Sequence, residues 1–358
     1  MNSEIQKINK LGQSIWLDSI SRGMVNSGKL SSMISEGISG ITSNPAIFQK
    51  ALSSENTYDK DIKSLINLGE NDSKNIFHAL SIKDISDACK LLLPVYKKTD
   101  GKDGFVSIEI DPKFANDTES SISEGIYLHK SIGQPNVMIK VPGTEAGMPV
   151  IEHLISLGIN VNVTLLFSRY MYKKSAKAYI NGLNKLSPEQ LNKVNSVASF
   201  FISRIDTSAD KVVKEKSQGK VAISNAILAY QDYKKIFSEE SFGNLENSGA
   251  NKQRLLWAST SVKNPSYEKL LYVEKLIGPE TVNTVPENVY EEIVSNTNQY
   301  KDLLNSDSNY HQQVIANALD ENDMESITDE LLIDGIRLFE EAFDSLLGEI
   351  KNKITDRS

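Results

Sequence analysis

The sequence predicts an α/β chain folded as a (β/α)8 TIM barrel with additional helices. Two patterns carry the prediction. Eight short, nearly continuous apolar runs are bounded by turn and cap residues, as expected of parallel strands covered on both faces. Helical periodicity fills the stretches between them, and eightfold alternation of strand and helix leads to a closed barrel. A doubly wound sheet of seven or eight strands satisfies the same periodicity and stays open as the alternative.

In order, the strands are expected near residues 14–19 (SIWLDS), 37–43 (GISGITS), 105–111 (FVSIEID) and 136–141 (NVMIKV). The next four lie near 160–167 (NVNVTLLF), 195–203 (NSVASFFIS), 254–260 (RLLWAST) and 281–286 (TVNTVP). Helices are expected where apolar spacing shifts to the helical period. One ends at Gly158 as a C-terminal cap residue; another begins at Ser187-Pro188, a cap followed by proline at the first helical position. A third is predicted over 264–278, where leucines recur at helical spacing, and a fourth over 84–98. The polar stretch 238–252 reads as a surface loop. The whole chain, 1–358, reads as one barrel domain, with roughly 287–358 forming C-terminal helices that close or cover it.

Composition narrows the class of function. A net charge of -8, from 39 basic against 47 acidic residues, suits neither a nucleic-acid surface nor an anionic membrane. It leaves room for a small anionic substrate, which a few local cations can hold. Cys89 is the only cysteine, so no internal disulfide forms and a reducing, cytoplasmic setting is expected. The first ten residues lack the apolar core of a signal peptide, and no apolar run reaches membrane-spanning length. His78, His129, His153 and His311 show no ligand spacing, so neither a metal nor a cofactor is expected. Monomer and homodimer are both left open.

The informative feature is where polar residues fall along the predicted strands. Asp18 closes the first, Thr42, Ser43 and Asn44 the second, Glu109 the third and Lys140 the fourth. Asn162 and Thr164 lie in the fifth, Ser199 in the sixth, Arg204 after it, and Lys263 after the seventh. Active sites of barrels gather at the C-terminal ends of the strands. A lysine inside an apolar strand is costly, and desolvation makes an amine easier to deprotonate and use as a nucleophile toward a carbonyl. Each residue alone has a plainer reading: Lys140 as an edge residue reaching water, Asp18 and Glu109 as cap carboxylates, Arg204 and Asp206 as a surface ion pair. The segment GTEAG (143–147) lacks the full spacing of a phosphate loop. Joint placement at six or seven strand ends favours a site.

These residues carry a resemblance. The stretch GITSNPAIFQKA (40–51) resembles the first transaldolase signature, and VMIKVPGTEAGMPVIEHL (137–154) resembles the second, with Lys140 at its Schiff-base position. The match runs in order from about Trp16 to Pro286. It implies a class I aldolase of the pentose phosphate pathway, working without a metal on phosphorylated sugars. Such an enzyme moves a dihydroxyacetone unit from sedoheptulose 7-phosphate to glyceraldehyde 3-phosphate, giving erythrose 4-phosphate and fructose 6-phosphate. The resemblance implies Lys140 as the imine-forming amine, Asp18 as general acid/base, and Glu109 with Thr164 and a water as the proton relay. Asn44 and Asn162 would hold the dihydroxyacetone hydroxyls, with Thr42, Ser43, Ser199 and Phe201 also at the substrate. Arg204 and Lys263 would hold the phosphate.

One departure matters. Shorter transaldolases carry arginine where this chain has Lys263, which replaces a bidentate fork by a point charge. The lysine is similar to that of longer bacterial transaldolases. A fructose-6-phosphate aldolase of the same superfamily is the nearest rival, but it carries tyrosine and glutamine where Phe201 and Glu109 stand. A barrel that binds phosphosugars without catalysis would need a defect in Lys140, Asp18 or Glu109, and none is visible.

Overall fold

The computed structural model describes residues 3–54 and 56–355. Its eight strands are β1 (Gln13–Leu17), β2 (Ile38–Ile41), β3 (Val106–Glu109), β4 (Val137–Pro142), β5 (Asn160–Leu166), β6 (Ser196–Phe201), β7 (Arg254–Ala258) and β8 (Thr281–Val285). They pair in parallel in sequence order, and β8 closes on β1 with Trp16 opposite Thr284. Closure decides against the doubly wound alternative. All eight strands fall on the predicted runs, with Gln13 one residue before the first run and Pro142 one residue past the fourth, because each is a short apolar segment sealed by the barrel interior on one side and helices on the other. Lys140 sits two residues before the end of β4 rather than at it.

Two helix expectations change. Of the predicted 264–278 helix only Leu271–Lys275 forms. Asn264 Oδ1 accepts from the Ser266 amide at 3.0 Å and its hydroxyl at 2.7 Å, a local turn that competes with helical hydrogen bonds. The predicted loop at 238–252 instead contains a helix, Glu239–Asn247, capped by Ser238 and carrying two glutamates in its first turn. That start signal is legible in the sequence, and Phe242 supplies the buried anchor. The helix over 84–98 belongs to a longer one, Ser73–Lys98. Gly158 adopts φ +80° just past the Gly147–Ser156 helix, as its cap role requires.

The lower end of the barrel is tied by one carboxylate. Asp103 accepts from Trp16 Nε1 at 2.8 Å, from Ser39 Oγ at 2.9 Å, and from Ser14 Oγ. Arg254 on β7 reaches the same cluster, donating to Ser14 Oγ at 2.9 Å. The Trp16 ring lies so close to β2 that a Cβ on Gly40 would stand 2.4 Å from it.

The upper end is covered by the C-terminal helix, Glu321–Thr355, which packs on the Pro45–Ser54 and Ser73–Lys98 helices and on the end of β5. Leu165 takes a left-handed conformation, φ 58°, where the β5–β6 register shifts between Val163 and Leu166. A Cβ on Gly335 of the covering helix would lie 2.9 Å from the Leu165 side chain, so the helix packs closely on this residue. No described helix is long and apolar enough to cross a membrane. Cys89 is buried as a free thiol.

Replacing Gly40 by Ala should lower the free energy of unfolding by about 1–3 kcal/mol, the usual range for overpacking. Trp16 cannot move aside without leaving Asp103. Urea unfolding should show a lower midpoint at unchanged slope; an unshifted midpoint would mean the ring yields freely.

Candidate active site

Side chains along a strand alternate in direction, so one strand supplies the interior every second residue. On β4 this puts Met138 and Lys140 inside, while Ile139 faces outward beside Gly125 of the Thr118–Ile132 helix. The apolar residues adjacent to Lys140 therefore do not all wrap its amine; register neighbours do. Glu109 lies opposite Lys140 on β3, and Asn162 opposite it on β5.

Lys140 is 4% exposed. Its Nζ stands 3.6 Å from Glu109 Oε2, close enough for charge attraction and too long for a good hydrogen bond. It donates to the Ser43 carbonyl oxygen at 3.2 Å, and the ring of Phe339, from the covering helix, lies 5.8 Å away. The edge-lysine reading is excluded: the ammonium is enclosed, and it is paired. The Glu109 side chain is 3% exposed, and neither of its oxygens has a hydrogen-bond partner among the described residues. Burial pushes its carboxyl up to about 7, against the pull of Lys140, and the nearby Asp18 adds to the rise. Thr164 Oγ1 is likewise buried without a partner among the described residues. Buried oxygens of Glu109 and Thr164 without hydrogen-bond partners among the described residues form an arrangement suited to passing protons through transient hydrogen bonds.

Asp18 follows β1, its amide bonded to the Val285 carbonyl of β8 at 2.8 Å. Its Oδ1 accepts from Thr42 Oγ1 at 2.7 Å. Enclosure raises its pKa above the usual carboxylate value, while the Lys140 charge and the Thr42 hydrogen bond oppose the rise. Asp18, Thr42, Asn44, Lys140, Thr164, Ser199, Phe201, Arg204 and Lys263 all line one cavity of about 380 Å³ at the C-terminal ends of the strands. Asn44 caps the Pro45–Ser54 helix through Oδ1, with Ile47 N at 3.0 Å, and its two amide N–H groups remain for other acceptors.

At the outer end stand two cations. Burial lowers the proton affinity of both Arg204 and Lys263, and the Arg204 charge lowers that of Lys263 further. Lys263 Nζ donates to Ser261 Oγ at 2.9 Å. Adjacent cations that repel one another are stabilised by a shared anion. Asp206 is no surface partner of Arg204: it is buried and accepts from the Ala222 amide at 2.8 Å and Tyr272 Oη at 2.9 Å.

Three expected substrate contacts are placed differently. Ser43 and Asn162 are not on the cavity wall. Ser43 Oγ donates to the Ser107 carbonyl at 2.7 Å. Asn162 donates to Ser107 Oγ at 3.0 Å and accepts from Ser199 Oγ at 2.7 Å, which fixes the strands beneath the amine. Thr42 is on the wall, but its hydroxyl is occupied by Asp18 and Thr284. The sequence reading missed Thr284, Ser259, Ser261, Asn288 and Phe339, all on the wall. Among them Ser259 carries φ 56°, a conformation invisible in sequence. Among the described residues no group of three or more His, Cys, Asp or Glu is placed to hold a metal ion.

The family described as transaldolase/fructose-6-phosphate aldolase matches residues 15–350. The chain belongs to that family. It is 43% identical to the transaldolase of Trichodesmium erythraeum (strain IMS101), covering 99% of this chain and 98% of that protein. It is 43% identical to transaldolase 2 of Nostoc punctiforme over 98% of both chains. It is 40% identical to the transaldolase of Neisseria gonorrhoeae over 97% of this chain and 99% of that one. The transaldolase/fructose-6-phosphate aldolase match spans all eight strands and most of the covering helix, so the family's chain includes both the barrel and its lid.

The Glu109 carboxyl sets a stability trend. In the folded chain it keeps its proton up to about 7, whereas the unfolded chain releases it near 4.5. Wild-type stability therefore falls as pH rises through that window, by at most about 1.4 kcal/mol per pH unit. The variant Glu109→Gln lacks this loss. Its stability relative to wild type should climb from pH 4.5 to about 7 and level off above, as read by urea unfolding at each pH. A flat difference would contradict the raised carboxyl.

Proposed function

We propose that this chain is a transaldolase, moving a dihydroxyacetone unit between phosphorylated sugars through an imine on Lys140. The observation that carries the reading is the enclosed amine of Lys140, 3.6 Å from Glu109, on the wall of a cavity whose outer end holds Arg204 and Lys263. The names of the relatives support it.

In this mechanism the donor ketose binds with its phosphate at Arg204 and Lys263 and its carbonyl carbon at Lys140 Nζ. The amine adds to the carbonyl to give a carbinolamine, and one water leaves as the imine forms. Glu109, able to hold or release a proton near neutrality, exchanges protons with that oxygen alongside Thr164 and a water. The iminium then accepts the electron pair of the breaking C3–C4 bond. Asp18 takes the proton of the C4 hydroxyl as the aldehyde leaves, and the three-carbon enamine stays on Lys140. An incoming aldose phosphate is attacked by that enamine carbon, and Asp18 returns its proton to the new hydroxyl. Hydrolysis consumes one water and frees the lysine. No step calls for a metal or cofactor. The donor is sedoheptulose 7-phosphate or fructose 6-phosphate, and the acceptor glyceraldehyde 3-phosphate or erythrose 4-phosphate.

Asn44 supplies amide donors for the dihydroxyacetone hydroxyls, and Ser199, its proton held by Asn162 Oδ1, supplies an acceptor. Phe201 lines the path toward Arg204, its ring 6.0 Å from the guanidinium carbon. We read residues 1–358 as one domain working in the reducing cytoplasm, the C-terminal helix acting as part of the site through Phe339. The second reading, a free fructose-6-phosphate aldolase, rests on the family description alone. Cleavage that needs an acceptor aldehyde supports transfer; equal cleavage without one supports the aldolase.

Borohydride added with fructose 6-phosphate should leave a stable adduct that peptide mapping places on Lys140, and Lys140→Ala should leave none. An adduct elsewhere, or turnover in Lys140→Ala, would sink the mechanism. Asp18→Asn should still trap the adduct while turnover drops at least about 100-fold, the scale of lost acid–base catalysis. Arg204→Ala should raise KM for fructose 6-phosphate tenfold or more and leave that for unphosphorylated dihydroxyacetone nearly unchanged, since a charge-assisted contact is worth about 1.5–3 kcal/mol. Similar changes for both substrates would remove Arg204 from the phosphate site.

A further inference from the structure

Thr284, on the last strand, is buried on the cavity wall, and its hydroxyl lies 2.6 Å from that of Thr42. Thr42 Oγ1 is also 2.7 Å from Asp18 Oδ1. A hydroxyl has one proton and two lone pairs. While Asp18 is ionised it can only accept, so the Thr42 proton is committed to it. The 2.6 Å contact must then be donated by Thr284, which leaves the Thr284 lone pairs, not its proton, facing the cavity. The direction of the whole chain, Thr284 to Thr42 to Asp18, is thus fixed by proton count. Its three members come from β8 and from the residues that directly follow β2 and β1, so it exists only because the barrel closes β8 onto β1.

We propose that Thr284 is a positioning residue for the proton transfer at Asp18, acting through Thr42. The inference rests on the proposed role of Asp18 and goes beyond it. With Thr284 in place, Thr42 has its acceptor satisfied and a single orientation, so its proton points at Oδ1 and the other carboxylate oxygen, Oδ2, is left for the substrate hydroxyl. Without it, a buried hydroxyl loses a donor and gains rotational freedom, which weakens its bond to Asp18. The charged groups facing Asp18 are Lys140 on β4 and Glu109 on β3, with Arg204 and Lys263 across the cavity. None of them is altered by the change. Because a hydrogen bond to the ionised carboxylate favours that form, its weakening moves the acid limb of the rate profile to higher pH.

The test compares Thr284→Val with Thr284→Ser in the full-length enzyme, using fructose 6-phosphate as donor and erythrose 4-phosphate as acceptor. Thr284→Val should lower kcat about tenfold, the effect of one lost buried hydrogen bond. It should also move the acid limb upward, while KM and borohydride trapping at Lys140 stay at wild-type level. Thr284→Ser should restore rate and profile. In a Thr42→Val background, Thr284→Val should cost little more, because both act on one bond. The inference is overturned if Thr284→Val keeps the wild-type profile, if Thr284→Ser is as slow as Thr284→Val, or if the two changes multiply independently. Failure of trapping in the wild type would instead remove the imine reading, so the two failures are distinct.

Discussion

An amine and a carboxylate held 3.6 Å apart inside a closed barrel are the constraint on which the upper half of this structure turns. Neither group can be taken out of water cheaply, and at 3.6 Å their attraction offsets only part of the cost. The surroundings supply the remainder in small pieces: the Ser43 carbonyl for the amine, the Asp18 charge across the floor, the Phe339 ring overhead. What is withheld matters as much. Glu109 receives no hydrogen bond from the described residues to steady its charged form, so burial holds its proton up to about 7, where it can be exchanged near neutrality.

Below this pair the barrel is built to be rigid. Asn162, Ser107 and Ser199 are bonded to one another across β3, β5 and β6, and Asp103 binds β1, β2 and the loop before β3 at the opposite end. Of the described non-glycine residues with left-handed backbone, Asp100 and Glu280 lie at this lower end, and Leu165 and Ser259 at the upper rim. Non-glycine residues with left-handed backbone persist only where the surroundings hold them there. At the rim they re-aim the chain as it leaves β5 and β7, one to receive the covering helix and the other to turn a serine onto the cavity wall.

Much of this was legible in the sequence, for physical reasons. Parallel strands buried on both faces must be short apolar runs, so all eight could be located, and a lysine or aspartate interrupting such a run at its C-terminal end stands out. Register was not legible. Whether Asn162 faces substrate or a neighbouring strand depends on which residue lies opposite it, and composition is silent on that; the Ser43 hydroxyl, turned to the Ser107 carbonyl, is a second case. Thr284 is one threonine in a strand that favours threonine, and becomes informative only when closure brings Thr42 beside it. Phe339 sits in an amphipathic helix where any phenylalanine reads as core. The helix lost at 264–278 shows the limit of periodicity where an asparagine side chain captures the local amides.

The covering helix has a consequence for how the enzyme comes into being. A chain made from its N-terminus presents Lys140 well before β8 and Phe339 exist. The partly made barrel carries the reactive amine but lacks both the strand that steadies Asp18 through Thr42 and the ring that screens Lys140. Residues more than 140 positions downstream of the nucleophile thus complete its environment. In a chain still being made, Lys140 and Asp18 therefore lack surroundings that the finished fold gives them.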